Sequence, residues 1–275
     1  MLKARNLPIL MYHHVSRCPG LVTLTPETFR EQMGWLAKRG WKTLTSSEIE
    51  TFYHSGIFPR KSVVLTFDDG YLDNWLNAYP ILKEFNLNAH IFLITGLIGS
   101  GPVRRKSCRE YAHWECQQLI QKGRSDDVML RWSEVHEMLR DRLVEFHVHT
   151  HSHQRWDRLL VTQKEQCEHL YKDILLSKKS MIEHTGICSQ HLCWPEGYYN
   201  QDYIKVAKEL GFSYLYTTER RMNNTDKGTL QLGRISTKER ESSMWLKRRL
   251  FYYTTPFFSS LLAYHKGPRI CEEIK

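Results

Sequence analysis

Two adjacent carboxylates directly follow an apolar run in the first half of the chain. In VVLTFDDGYLDNW, residues 63–75, Asp68 and Asp69 stand side by side before Gly70. An Asp-Gly turn is one explanation, since this dipeptide is common where strands end. Two neighbouring anions nevertheless repel each other, and a bound cation would lower that cost. The pair therefore indicates a catalytic or metal-binding position.

Four histidines lie within seven residues in HVHTHSH, at the end of a predicted strand at 143–148. Imidazoles four residues apart are able to ligate one metal ion. Two pairs have this spacing, His147 with His151 and His149 with His153. Because strand alternation would place all four on one face, spacing alone does not choose between the pairs.

A third group, Cys193-Trp194-Pro195-Glu196-Gly197-Tyr198, follows another predicted strand. Pro195 and Gly197 flank Glu196 and favour a tight loop whose backbone N–H groups face a substrate. An ordinary strand-to-helix turn is the alternative interpretation.

These groups must be positioned by the elements that precede them, which alternate between strands and helices. One predicted helix has Thr25 as its N-cap and Pro26 in its first turn, and it ends at Gly40. The alternation implies βαβ units and a mainly parallel sheet. The sequence thus predicts an α/β fold, a closed or distorted (β/α) barrel whose chemistry lies at the strand C-terminal ends. The polar segment between Gly99 and about Asp127 is expected to be an inserted loop with a short helix.

Composition limits the class of protein further. At 275 residues we expect one barrel domain over 1–240 and a basic, aromatic segment over 241–275. Seven scattered cysteines without a CxxC motif, no signal peptide and no run of about 20 apolar residues predict a cytoplasmic protein. The net charge of +9 favours anionic surroundings, but no nucleic-acid-binding module is recognisable. We therefore expect no nucleic-acid partner.

Taken in order, TFDDG at 66–70, His149-Thr150-x-x-His153 and Pro195-x-Gly197 resemble the polysaccharide deacetylases, the NodB-type carbohydrate esterase family 4. The resemblance covers roughly residues 7–235. The opening LPILMYHHVS and the spacing of the motifs are similar to the subgroup that acts on glycans containing N-acetylglucosamine. The resemblance implies a hydrolase that removes N-acetyl groups from an amino sugar in a glycan or a lipid-linked saccharide.

The resemblance also implies a role for each residue of the three groups. In the family the first metal histidine precedes Ser or Thr, and Thr150 follows His149, so His149 and His153 become the metal ligands together with Asp69. Asp68 becomes the general base. Zn²⁺ is the expected ion, and this ligand set also accepts Co²⁺, Ni²⁺ or Fe²⁺. The predicted substrate-binding residues are those of the third group, Pro195, Glu196, Gly197 and Tyr198.

The general acid has two candidates. Many family members carry Leu-x-x-His near the C-terminus, and Leu262-Ala-Tyr-His265 matches those letters in a segment without strand character. In the subgroup that this chain resembles, the histidine of the N-terminal Met-Tyr-His strand approaches the site instead. His13 is therefore preferred over His265, with His14 pointing to the other face.

One departure from the family concerns the general base. Many members carry an Arg that orients the base two residues before the Pro of the third motif, where this chain has Cys193. Either Arg234 supplies the charge from another strand, or Asp68 is tuned without one. The missing Arg also supports the alternative function, a glycan-binding protein of the same fold without turnover.

The C-terminal segment has two interpretations. Residues 244–269 mix aromatic and aliphatic residues with Lys247, Arg248, Arg249, Lys266 and Arg269. One interpretation is an interfacial segment on an anionic membrane at the inner face of the cell, where the substrate would be a glycolipid. The other is a helix packed against the barrel.

Overall fold

The computed structural model describes residues 6–56, 59–105, 108–238 and 241–255, and an all-parallel eight-stranded sheet forms its centre. Seven strands follow one another across this sheet in the order Ile235–Ser236, Ile9–Tyr12, Ser62–Phe67, Ala89–Leu93, Val144–Val148, His191–Cys193 and Tyr214–Tyr216. The eighth, Lys42–Thr43, pairs with the beginning of Ser62–Phe67. The short strands His14–Val15 and Thr23–Leu24 form a separate pair.

The sheet curls until its two ends approach each other. Beyond the edge strand Tyr214–Tyr216, Thr217 donates a backbone hydrogen bond of 2.9 Å to Leu232, which in turn donates one of 2.8 Å to Leu215. Leu232 lies only three residues before the strand at the opposite edge, Ile235–Ser236. The predicted distorted (β/α) barrel with parallel strands is confirmed.

Helices surround the sheet and begin where the sequence places caps. Thr25 accepts from the Thr28 amide with Pro26 at the first turn, as predicted, and Thr45 forms a capping box with Glu48. The α-helices are Pro26–Lys38, Ser46–Ser55, Tyr79–Phe85, His113–Gln121, Trp132–Arg140, Trp156–Leu159, Gln163–Thr185, Gln201–Glu209 and Ser243–Thr254. A short π-helix, Asn74–Ala78, precedes the α-helix Tyr79–Phe85. Short 3₁₀-helices occur at Thr95–Leu97, Ser125–Asp127, Pro195–Gly197 and Thr225–Lys227.

The strand Ser62–Phe67 is buried on both faces, which explains its continuous apolar sequence. Val63, Leu65 and Phe67 belong to the apolar cluster that also contains the surrounding helices. Val64 belongs to a second cluster that fills the barrel interior. Since side chains alternate along a strand, Asp68 continues the inward series of Val64 and Thr66. The strand therefore delivers a carboxylate to the top of the barrel interior.

The helix Ser243–Thr254 packs against the barrel through Leu246, Leu250 and Tyr253. Its Lys247 and Arg248 are exposed. The rest of the basic aromatic segment, with Leu262 and His265, lies outside the described residues. Among the residues that the structure describes, every helix is too short or too polar to cross a membrane.

Candidate active site

The backbone turns sharply at Asp69 and Gly70, where the strand Ser62–Phe67 has ended. Asp69 has φ 74°, and Gly70 has φ 84°. A Cβ at Gly70 would lie 2.6 Å from Leu93 Cδ2, so glycine alone fits this position. Left-handed conformations at non-glycine residues cost free energy and concentrate at functional sites. Thr150, His153 and Glu196, all near Asp69 in the fold, share this conformation.

Asp69, His149 and His153 lie together at the C-terminal ends of the strands. Asp69 Oδ1 is 3.3 Å from His149 Nε2 and 3.7 Å from His153 Nε2. The Nδ1–H group of His149 donates to the Cys193 carbonyl oxygen at 2.8 Å, which directs Nε2 towards Asp69. Thr150 Oγ1 accepts from the His153 amide at 3.0 Å and fixes the turn between the two histidines.

The pKa shifts of Asp69 and His153 favour the protonation states of metal ligands. Burial raises the pKa of Asp69, but the hydrogen bond from His149 and the nearby His153 outweigh it, so the pKa lies well below its ordinary value. Burial lowers the pKa of His153. An ionised carboxylate beside a neutral imidazole is what a divalent cation requires of its ligands. Burial lowers the pKa of His149, but its contacts with Cys193 and Asp69 outweigh burial and raise the net pKa, so a metal ion would have to displace a proton there.

The alternative histidine pair is separated by the fold. His147 Nε2 lies 2.9 Å from His90 Nδ1 and its Nδ1 lies 2.7 Å from Ser189 Oγ, so it belongs to the barrel interior. His151 Nδ1 lies 3.1 Å from Thr95 Oγ1. His147 and His151 therefore have different partners, whereas the ring centroids of His149 and His153 lie 4.7 Å apart.

Residues 149–153 form a loop, called here the histidine loop, after the strand Val144–Val148. Asp173, in the middle of the helix Gln163–Thr185, holds this loop through hydrogen bonds. Its Oδ1 accepts from the amides of His151 at 3.1 Å and Ser152 at 2.8 Å, and its Oδ2 accepts from Ser152 Oγ at 2.9 Å. The carboxylate is 4% exposed. Sequence reasoning missed this residue because a lone Asp within a long polar helix carries no local signal.

Asp68 forms a buried two-point ion pair with Arg234. The Arg234 Nη1 and Nη2 groups donate to Asp68 Oδ1 at 2.6 Å and Oδ2 at 2.8 Å, and the Arg234 side chain is fully buried. Cys193 Sγ lies 3.0 Å from Arg234 Nη2, in the place where many family members carry an Arg. Burial raises the pKa of Asp68, but the charge and hydrogen bonds of Arg234 outweigh it and the net pKa is lowered.

The two N-terminal histidines diverge, as strand alternation predicts. His13 Nε2 approaches Asp68 Oδ2 to 3.8 Å, and burial lowers the pKa of His13 despite the nearby carboxylates. Its Nδ1 is buried and has no hydrogen-bond partner among the described residues. His14 turns away and contacts Asp73.

The residues of the third group are divided between the cavity wall and the structure behind it. Glu196 and Gly197 line the cavity, and a Cβ at Gly197 would lie 2.1 Å from Thr218 Oγ1. The Glu196 carboxylate accepts from Arg155 at 2.7 Å. Pro195 is buried, and Tyr198 packs beneath the Arg155 guanidinium at 4.3 Å.

A cavity of about 300 Å³ opens above Asp68, Asp69, His149 and His153. Trp194 forms part of its wall, and the inserted segment contributes His113 and Gln117 from one face of the helix His113–Gln121. The sequence predicted this segment as an insertion, but nothing in its polar composition indicated that it borders the site.

Two further groups of potential metal ligands occur in the described part of the chain, and both are engaged otherwise. Asp68, His149 and Cys193 form one, but both Asp68 oxygens bind Arg234, and burial raises the pKa of the Cys193 thiol. His90, Glu145 and His147 form the other, where the two rings already hydrogen-bond to each other. Of the three groups, Asp69, His149 and His153 fit a metal ion best.

Comparisons with known proteins give the same family as the motifs. The polysaccharide deacetylase family model matches residues 55–215. The chain is similar to YxkH of Bacillus subtilis, with 29% identity over 234 residues that cover 85% of this chain and 72% of YxkH. It is also similar to a Staphylococcus aureus protein named poly-beta-1,6-N-acetyl-D-glucosamine N-deacetylase, with 26% identity over 218 residues that cover 78% of this chain and 67% of the relative.

The solved structure of the Streptococcus pyogenes deacetylase PplD, in complex with acetate, has the same fold, with a TM-score of 0.73. The similarity covers 92% of this chain and 100% of PplD at 22% sequence identity. The family model covers more than half of the chain and includes both the paired carboxylates and the histidine loop. This chain belongs to the polysaccharide deacetylase family.

Proposed function

We propose that this protein is a metal-dependent hydrolase that removes N-acetyl groups from an amino sugar, N-acetylglucosamine, within a glycan or a lipid-linked saccharide. The observation that carries the proposal is that the two adjacent carboxylates have different partners. Asp69 faces His149 and His153, while Asp68 pairs with Arg234 and borders the same cavity. Amide hydrolysis needs both a site that activates water and a separate base.

Asp69, His149 and His153 would hold one divalent ion, Zn²⁺ by preference, with Co²⁺, Ni²⁺ or Fe²⁺ as alternatives. Such an ion supplies Lewis acidity that polarises the acetyl carbonyl and makes water a better nucleophile. The hydrogen bond from His149 Nδ1 to the Cys193 carbonyl supports this assignment, because metal-ligating histidines are usually oriented through their second nitrogen.

The remaining residues would manage protons and orientation. Asp68, kept ionised by Arg234, takes the proton from the attacking water. His13, with Nε2 at 3.8 Å from Asp68 Oδ2, is the candidate that passes a proton to the leaving amine. Glu196 and Gly197, at the wall of the cavity, would border the acetyl group. The products are acetate and a free amino sugar.

The choice of sugar rests on the named relative and on the cavity. The Staphylococcus aureus relative is named for a β-1,6-linked N-acetylglucosamine polymer, which makes such oligomers the first substrates to test. The cavity is open and lined by Trp194 as well as by polar groups. An aromatic ring beside polar groups suits a sugar, which has both apolar faces and hydroxyl edges.

Acetate release from N-acetylglucosamine oligomers tests the proposal. We expect the purified protein to release acetate, and we expect a chelator such as dipicolinate to reduce the rate by about 10²-fold or more, since the ion would activate both water and carbonyl. Adding back Zn²⁺, Co²⁺, Ni²⁺ or Fe²⁺ separately should restore activity and rank the metals. Acetate assayed enzymatically against β-1,6- and β-1,4-linked oligomers provides the measurement.

Activity that survives complete metal removal would refute the metal mechanism. The second candidate function, glycan binding without turnover, would be favoured if the protein binds these oligomers and a metal ion but releases no acetate. The ion pair between Asp68 and Arg234 argues against binding without turnover. Arg234 supplies the positive charge that many family members place at the position of Cys193.

We also propose, as the sequence suggested, that the protein is cytoplasmic and contacts an anionic membrane at its inner face. The helix Ser243–Thr254 supports the membrane contact, since Met244 and Phe251 are 58% and 53% exposed beside Lys247 and Arg248. Reversing both charges (Lys247→Glu with Arg248→Glu) should weaken binding to phosphatidylserine vesicles by about tenfold or more, at roughly 1 kcal/mol for each basic residue. Co-sedimentation is the measurement, and equal sedimentation of the variant and the wild type would exclude this surface.

A further inference from the structure

A chain of hydrogen bonds runs from the carboxylate of Asp73, whose side chain is 11% exposed, to the wall of the cavity. His14 Nδ1 lies 2.6 Å from Asp73 Oδ2, and His14 Nε2 lies 3.1 Å from His113 Nδ1. His13, Asp68 and the histidine loop line the same cavity that His113 borders. Neither His14 nor Asp73 lines it, so both act on the cavity only through His113.

Packing and hydrogen bonds hold the hydrogen-bond chain in place at His14 and Asp73. His14 is 1% exposed, and its ring stacks on Tyr71 with a centroid separation of 3.8 Å. The other oxygen of Asp73, Oδ1, accepts from the Val15 amide at 3.0 Å and from Asn74 Nδ2 at 3.0 Å. The carboxylate thus has fixed donors on both oxygens.

These contacts determine which nitrogen carries each proton. An ionised Asp73 only accepts hydrogen bonds, so His14 Nδ1 carries a proton. With this single proton on the His14 ring, Nε2 accepts, His113 Nδ1 donates, and His113 Nε2 is left with a lone pair. Burial lowers the pKa of His113, which agrees with a neutral ring.

We propose that His113 is a substrate-binding residue whose Nε2 accepts a hydrogen bond from a hydroxyl group of the bound amino sugar, with His14 and Asp73 as positioning residues. This inference rests on the proposed deacetylase function. It assigns to the inserted helix His113–Gln121 the recognition of the sugar ring, while the strand ends carry out the chemistry on its acetyl group.

The direction of these hydrogen bonds, from donor to acceptor, makes the recognition selective. A site that presents an acceptor rewards a hydroxyl group and rejects an analogue that lacks one, because an acceptor that the bound sugar covers is then left unpaired. A ring free to change tautomer would accept or donate equally well. Asp73, acting through His14, removes that choice.

Long-range ¹H–¹⁵N NMR of the imidazole rings in the free full-length protein tests the direction of these hydrogen bonds. We expect His113 to carry its proton on Nδ1, with Nε2 unprotonated. Asp73→Asn, which removes the charge that orders the chain, should convert part of the His113 signal to the other tautomer. A His113 ring protonated on Nε2 in the wild type would overturn the proposal, even if the protein proves to be an active deacetylase.

Kinetics on N-acetylglucosamine oligomers test the hydroxyl contact. His113→Ala should lower kcat/KM by about tenfold, mainly through a higher KM, since a lost substrate hydrogen bond weakens ground state and transition state alike. His113→Gln, which keeps an acceptor oxygen, should recover part of this loss. Trp114→Ala on the same helix is the matched control, because Trp114 is 62% exposed and does not line the cavity.

Analogues with single ring hydroxyls replaced by hydrogen identify the partner. One analogue should lose about tenfold in kcat/KM with the wild type and nothing further with His113→Ala. If every analogue loses the same factor with both proteins, His113 contacts no hydroxyl and the proposal fails. If no acetate is released from any glycan, the proposed function fails, while the NMR measurement still decides the hydrogen-bond chain.

Discussion

Replacing Asp68 by Asn is expected to lower the rate of acetate release by about 10³-fold, within the range that a positioned general base contributes. The amide has nearly the same shape, but it cannot take a proton from water. The variant should still bind one metal ion per chain, because Asp69, His149 and His153 are unchanged. Steady-state kinetics and metal analysis on the same preparation provide the measurement.

This variant also loses stability, which requires a control. Asp68→Asn would leave the fully buried Arg234 guanidinium without its counter-ion, at a cost of about 3–5 kcal/mol. Glu134→Gln breaks a comparable pair, in which Arg104 donates to Glu134 at 2.8 and 2.7 Å and Glu134 is fully buried, away from the cavity. We expect this control to lose stability and keep its activity. If both variants lose activity equally, Asp68 is not the base.

Most of the fold follows from local patterns in the sequence. The strand Ser62–Phe67 reads as a buried run, and the helix Pro26–Lys38 begins directly after Thr25, the N-cap that its sequence indicates. Parallel strands connected by helices leave few arrangements other than a barrel or an open sheet. The pattern of strands and helices alone left a closed and a distorted barrel open, since the outcome depends on contacts such as that of Leu232 with Thr217 beyond the edge strand.

The grouping of site residues was predictable only where the strands bring them to one end of the sheet. Asp69 and the histidine loop meet because both follow parallel strands, which end at the same edge. The sequence left the choice between histidine pairs open, since the fold decides it. Backbone turns at Thr150 and His153, both with positive φ, redirect the chain so that His151 faces Thr95 instead.

Residues that act through others left no signal in the sequence. Asp173 supports the histidine loop from a helix about 20 residues away along the chain, and Asp73 contacts His14 across a sequence separation of 59 residues. His14 was interpreted as the neighbour of His13 that faces away, which is correct, yet its partner His113 comes from the inserted segment. Contacts between such distant positions arise from packing and not from any local period.

Arg234→Met is expected to destabilise the protein by about 3–5 kcal/mol and to lower its activity, because it removes one partner of a buried ion pair. Each N–H group of this guanidinium has an acceptor. Nε donates to the Thr217 carbonyl at 2.8 Å, Nη1 to Thr66 Oγ1 at 3.2 Å and Nη2 to Cys193 Sγ at 3.0 Å, and the other two donate to Asp68. Arg234→Lys keeps the charge but not the planar guanidinium that donates to both Asp68 oxygens, so it should recover only part of the stability. Urea unfolding of metal-free protein measures these differences.

The pH dependence separates the charge of Arg234 from its packing. In the wild type the folded-state pKa of Asp68 is lowered, so the pair stabilises the protein above the unfolded-state pKa and this stabilisation is lost as the pH falls. Without Arg234, burial raises the folded-state pKa, and the variant loses stability as the pH rises. The stability difference between the two should therefore grow from about pH 4 to about pH 7, and the acidic limb of the variant's activity profile should move to higher pH.

A double variant completes the cycle. Asp68→Asn with Arg234→Met removes both charges, and replacing a buried ion pair by neutral groups is often close to neutral for stability. We expect the double variant to unfold at a higher urea concentration than either single variant and to remain inactive. If its losses of stability are instead the sum of the two single losses, Asp68 and Arg234 do not act as a pair. Cys193 would then occupy the usual position of the family's arginine without any replacement for its charge.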